Sequence, residues 1–162
     1  NAATQLGISF AWGGGNAHGP SQGVVGDRSE DGSPDPADGA NTYQDHDRVG
    51  FDCSGLAQYS VAKATGLDIG KYTGDQIESP HLTALDPGET PQPGDMLYFG
   101  TEPHHVAIYI APGVVINARQ SGQPVQLEHR NTTASTDSDP PIRIWRIRRG
   151  RILDLPACRT PR

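Results

Sequence analysis

Apolar residues along this chain follow two different rhythms, one in each half. From Cys53, "SGLAQYSVAKATG" places Leu56, Tyr59 or Ser60, and Lys63 or Ala64 at helical spacing, which predicts a helix of about three turns stopped by Gly66. Beyond Gly66 the chain is irregular and punctuated by Gly70, Gly74, Pro80, Pro87 and Pro91. The pattern then shifts to period two. "GDMLYFG", "HHVAIYIAPG" and "VVINA" are short β-branched or aromatic runs bounded by Gly and Pro, as neighbouring antiparallel strands require. The turn around Ala111 to Gly113 predicts a hairpin. "PPIRIWRIRR" alternates through Ile142, Arg143 and Ile144 and slips phase at Trp145, which predicts an edge strand with a bulge. A helix-bearing N-terminal half followed by a small antiparallel sheet is an α+β arrangement.

Ahead of the helix, "TQLGISFAW" reads as a helix end running into a loop at the glycine run "WGGGN". From Val24 to Val49 the chain is acidic, rich in Gly, Pro and Asp, and nearly without apolar anchors. Such a segment buries too little surface to offset its ordering entropy, so it reads as a mobile insertion before Cys53. Within it Asp27, Ser29, Asp31, Gly32, Asp35 and Asp38 occupy the spacing of an EF-hand-like calcium loop. Pro34, a final Asp in place of Glu, and the lack of flanking helices favour a disordered acidic loop instead.

Composition narrows the picture further. A chain of 162 residues fits one domain, expected over residues 1–150, with a basic tail over 151–162. The net charge of −6 argues against general attraction to nucleic acid or anionic lipid. It is unevenly spread: seven acids and two bases lie between Val24 and Arg48, and seven arginines with one acid between Arg143 and Arg162. A solvated, partly frayed terminus is the plain reading of that tail. No apolar run reaches the ~20 residues of a membrane span. The first residues carry no initiator Met, basic stretch or long apolar run, so a secretory leader, if the protein has one, is not in this sequence. Two cysteines more than a hundred positions apart suit neither a zinc knuckle nor a redox pair; a Cys53 to Cys158 bridge stays open for an exported protein. His18, His46, His81 and His129 lie in polar stretches without ligand spacing and read as surface residues. Trp12 and Trp145 suit core packing better than sugar platforms.

Cys53 is the residue with chemistry to offer. If Asp52 caps the helix, the thiol sits where unpaired amides and the positive dipole end converge. That setting is expected to lower a thiol pKa from about 8.5 toward neutrality and to supply oxyanion donors. Ser54 and Gly55 leave the approach uncluttered. A thiolate needs a base and an orienting group. His105 heads a strand, on the face opposite Val106, Ile108 and Ile110, and Asn117 ends the next strand twelve residues on. His104 is positioned either to meet substrate or merely to flank His105.

At these positions the chain resembles the NlpC-type (NlpC and p-sixty superfamily) cell-wall cysteine peptidases, a branch of the papain-like fold. The matching stretches are "WGGGNAHGPSQG" (12–23), "GFDCSGLAQYS" (50–60), "QPGDMLYFG" (92–100) and "HVAIYIAPGVVINA" (105–118). The lead-in "WGGGNAHGPS" is most like mycobacterial endopeptidases that partner with resuscitation-promoting factors. The resemblance implies a secreted or wall-associated thiol endopeptidase. It would cut peptidoglycan stem peptides between D-glutamate and meso-diaminopimelate, as a monomer and without a cofactor or metal. It implies Cys53 as nucleophile, His105 as base and Asn117 as orienting residue. Asp52, Ser54, Gly55, Trp12 and His104 would support substrate or oxyanion. Two departures stand out: Phe10 where the family usually has Tyr, which Ser54 would have to replace as a donor, and the insertion. They leave two alternatives open, a weakly active or inactive wall-peptide binding module, and an amidase or acyltransferase using the same three residues.

Overall fold

The computed structural model describes residues 1–134 and 141–148. The expected basic tail over 151–162, Cys158 and the end of the proposed domain lie outside the described residues. The chain opens with a 3-10 turn at Ala2–Gln5, followed by strand β1 (Ser21–Gln22). Helix α1 (Gly39–Thr42), a 3-10 turn at Asp45–Asp47 and strand β2 (Val49–Gly50) follow. Helix α2 runs over Cys53–Thr65 and α3 over Thr73–Glu78. Six strands complete the described fold: β3 (Leu82–Ala84), β4 (Met96–Phe99), β5 (His105–Ala111), β6 (Val114–Asn117), β7 (Gln126–His129) and β8 (Ile142–Ile147).

Helix α2 forms where the helical rhythm predicts it. The Asp52 carboxylate accepts the Gly55 N–H at 2.6 Å, closing its N-terminus. Gly66 ends it at φ 76°, in the left-handed region where a Cβ is costly. The sheet is antiparallel in the order β3-β8-β4-β5-β6-β7. One face carries Met96, Tyr98 and Val106, which pack against Ala57 and Val61 of α2. Ile108 and Ile116 continue this face against Phe10, Phe51 and Leu56. The other face carries Leu97, Phe99, Ala107, Tyr109, Val115, Ile142 and Ile144. This is the α+β arrangement of helices on a small antiparallel sheet.

Three expectations are corrected. The run from Ile142 is an interior strand between β3 and β4, paired in unbroken register as Met96 to Trp145 and Phe99 to Ile142. Its apparent phase slip has another cause: Ile142 and Ile144 pack on one face, Trp145 and Ile147 on the other. The bulge lies instead in β5, between Tyr109 and Ala111, at the predicted hairpin. "TQLGISFAW" is a single 3-10 turn leading into extended backbone, with Phe10 bridged to Phe51.

The third correction is the acidic insertion, which is built rather than loose. Asn41 accepts the Gly26 N–H and donates to the carbonyls of Asp27 and Asp35, while Asp38 caps α1. Fully buried Asp45 accepts the Trp12 N–H at 3.1 Å and the Ser121 hydroxyl at 2.6 Å. Polar bonding to backbone does here what apolar burial does elsewhere. The carboxylates of the calcium-loop spacing face their own turns, Asp31 to Ser33 and Asp35 to the Ala37 N–H. Among the described residues no group of three acidic, His or Cys side chains is gathered for a metal.

Candidate active site

Cys53 opens into a cleft of about 340 Å³ whose wall also includes Phe10, Trp12, Asp52, Ser54, His104, His105 and Arg119. Local sequence explains each placement. Cys53 is the first residue of α2 and carries a free thiol. His105 is the first residue of β5, paired with Phe99, on whose ring its imidazole lies tilted with centroids 5.5 Å apart. Tyr109 pairs with Val115, so the alternation of side chains puts His105 and Asn117 on one face. Asn117 is fully buried. Its Oδ1 and the Nε2 of His105 are both buried and without a hydrogen-bond partner, and Asn117 favours a proton on His105.

The helix start is tightly braced. Lys71 Nζ donates to the carbonyls of Gly14 and Gly15 at 2.9 and 2.8 Å and lies 3.4 Å from the Asp52 carboxylate. A side chain at Gly55 would meet the Gly14 carbonyl at 2.2 Å, so the WGGG turn and α2 approach closely through a glycine. Buried Gln76 donates to the Ser54 carbonyl at 2.8 Å and accepts the Tyr98 hydroxyl at 2.9 Å.

The electrostatics differ from the expected activated thiol. Burial pushes the Cys53 thiol up to about 11, and the Asp52 carboxylate adds to the rise. Amides of Val106, Ser54 and Cys53 work against this without overcoming it. The helix start is present, but desolvation and an adjacent anion outweigh it. Asp52 itself is raised by burial, against the pull of Lys71. Burial pulls the His105 imidazole down to about 4, helped by the Arg130 guanidinium and His104 and opposed by Asn117 and Glu128. Both shifts favour a neutral thiol and a neutral imidazole at neutral pH, lining the same cleft.

Other expected roles divide. His104 is exposed on the cleft wall. Trp12 is also exposed there, at 51%, contrary to the core packing expected of it; Trp145 does pack, edge-on to Tyr98 at 6.4 Å. The Ser54 hydroxyl donates to Asp52 at 3.1 Å and the Gly55 N–H is held by the same carboxylate. Neither group is free to serve an oxyanion. Phe10 lines the cleft but is 4% exposed and brings no hydroxyl. The sequence reading missed Lys71, Arg119, Glu128 and Arg130. The clue for Arg119 and Glu128 was their alternation with Asn117 across the unpredicted pairing of β6 with β7. Lys71, in an irregular stretch, carried no signal.

This arrangement has known relatives. The NlpC/P60 family model matches residues 7–139. The chain belongs to the NlpC/P60 family. Peptidoglycan endopeptidase RipA of Mycobacterium tuberculosis is 34% identical over 134 residues, 82% of this chain and 24% of RipA. The solved structure of the peptidoglycan hydrolase RipB from Mycobacterium tuberculosis superposes with a TM-score of 0.65 at 28% identity, covering 91% of this chain and 61% of that one. A γ-D-glutamyl-L-lysine dipeptidyl-peptidase of Bacillus subtilis is 34% identical over 83 residues, 48% of this chain and 27% of that protein. This NlpC/P60 chain thus spans about a quarter of the RipA that it matches.

Proposed function

We propose that this NlpC/P60 domain is a thiol endopeptidase of exported, wall-associated setting, cutting peptidoglycan stem peptides between D-glutamate and meso-diaminopimelate. One observation carries the reading. Cys53 and His105 line one cleft, and a buried nitrogen of His105 and a buried oxygen of Asn117, on a shared strand face, are each left without a hydrogen-bond partner. An imidazole held through Nε2 by Asn117 offers Nδ1 to the thiol. The names of the similar RipA, RipB and γ-D-glutamyl peptidase support the substrate class.

Because the pair is neutral at rest, His105 acts as a general base during attack. Nδ1 takes the Cys53 proton as sulfur bonds to the scissile carbonyl carbon, and helix-start amides meet the developing oxyanion. The C–N bond then breaks while imidazolium gives its proton to the departing amine. Water, deprotonated by His105, attacks the thioester. The glutamyl acid leaves and the thiol is restored. Asp52 and Lys71 hold the helix start throughout.

Phe10, which brings no hydroxyl to the cleft, favours the second reading, a wall-peptide binding module without turnover. Losing one oxyanion donor costs ~3 kcal/mol where nothing replaces it. Incubation with muropeptides followed by mass spectrometry separates the two. New fragments ending in D-glutamate, absent with Cys53→Ala, are expected. No fragment from either protein leaves the binding module standing, and fragments freed at a different amide indicate an amidase.

A further inference from the structure

Past His105 the cleft opens into a second hollow of about 310 Å³, lined by Phe99, His104, His105, Arg119, Gln120 and Arg130. The two spaces share His104, His105 and Arg119, and Cys53 lines only the first. Among the described residues the charge around the second hollow is unbalanced. Glu128 is its nearby acid, and both its oxygens are engaged, one by Asn117 Nδ2 at 2.6 Å and one by Arg119 at 2.7 Å. The Arg130 guanidinium lies 4.7 Å over the Phe99 ring, and among the described residues it has no carboxylate in ion-pair range. Among the described residues two guanidiniums therefore face one carboxylate, in a hollow that His105 lines and Cys53 does not.

We propose that this hollow is a carboxylate subsite, in which Arg130, flanked by Arg119 and His104, binds the free side-chain carboxylate of the residue whose amine is released. The side follows from the proposed peptidase chemistry, on which this inference rests: the imidazole protonates the leaving amine, so the residue bearing that amine lies beyond His105. Planar guanidiniums pair with carboxylates through two parallel hydrogen bonds, which gives such a site geometric selectivity. Seating an anion there also acts on the base. Arg130 and His104 disfavour a proton on His105, while Asn117 and Glu128 favour it. A carboxylate beside Arg130 offsets the first of these, so the correct substrate makes His105 a stronger base at the moment it is needed.

The test compares two peptides that differ at one group, γ-D-glutamyl-diaminopimelate and γ-D-glutamyl-L-lysine, which lacks the side-chain carboxylate. Wild-type protein is expected to favour the first by about tenfold or more in kcat/KM, chiefly through KM. In Arg130→Gln the preference falls to about twofold or less, Arg130→Lys retains part of it, and the acid limb of the pH profile moves to higher pH. Arg119→Gln, in the segment that follows β6, gives a second reduction. Equal use of both peptides by wild type, or an undiminished preference in correctly folded Arg130→Gln, overturns the subsite. Should neither peptide be cut, calorimetric binding to Cys53→Ala gives the same reading without turnover. Tighter binding of the diaminopimelate peptide, lost with Arg130→Gln, upholds the subsite while the peptidase reading fails; equal binding overturns it.

Discussion

At Cys53 two fields compete, the helix-start amides that favour a thiolate and the burial that opposes it. Burial prevails, with Asp52 on its side. The resting thiol should therefore alkylate slowly, with a rate that keeps rising from about pH 6 to about pH 9 and shows no plateau near neutrality. Iodoacetamide labelling followed by mass spectrometry measures this; a neutral plateau would mean a preformed ion pair with His105. Asp52 is a sequence-adjacent acid whose cap geometry was legible from "DCSG". Its opposing electrostatic effect was not, because the effect depends on how deeply folding desolvates the pair. The same holds for His105, whose strand position follows from alternation but whose depressed basicity arises first from burial and then from Arg130, neither of which has a local signature.

Among the elements, α2 does most to place the chemistry. Its start is held by the Asp52 cap, by Lys71 bridging Asp52 to the glycine turn, and by Gln76 on the Ser54 carbonyl. Replacing Asp52→Ala removes the cap, worth ~1 kcal/mol, and leaves Lys71 without its carboxylate. Thermal unfolding should fall by about 3 °C, while kcat/KM falls by more than tenfold because the thiol is no longer fixed within the small tolerance that catalysis demands. Asp52→Asn, which can still cap, should recover most of the stability. Activity that merely tracks stability across both variants would contradict a positioning role. Helix α2 was legible in the sequence because it is long enough to show its period, and strands β4 to β6 because each is a run of apolar β-branched or aromatic residues. The strands β3 and β7 were not, since "LTA" and "QLEH" are short and lack a run of apolar β-branched or aromatic residues. The β8 run was visible, but its interior place was hidden, because a strand covered on both faces loses its polar phase.

Across the whole molecule, cleft and insertion are joined through Asp45, which reaches from the acidic segment to Trp12 on one side and Ser121 on the other. Composition alone made that segment look unable to order. Asn41 donating to backbone carbonyls, and the Asp38 and Asp45 carboxylates accepting backbone N–H groups and the Ser121 hydroxyl, supply what its missing apolar residues do not, and such long-range polar pairing leaves no periodic trace. The candidate residues Cys53, His105 and Asn117 could be picked out by type and order, whereas the cationic hollow that His105 lines emerges only once β6 and β7 are paired. The central claim is that Cys53 forms an acyl-enzyme on the D-glutamyl carbonyl. Its most direct test is the mass of the protein quenched in acid during turnover of a stem peptide, followed by peptide mapping. The account predicts a fraction of the chain heavier by the glutamyl-ended fragment, with the added mass on the peptide containing Cys53 and more of it accumulating when deacylation is slowed. Stem-peptide cleavage that proceeds with Cys53 unmodified, and persists in Cys53→Ala, would contradict it.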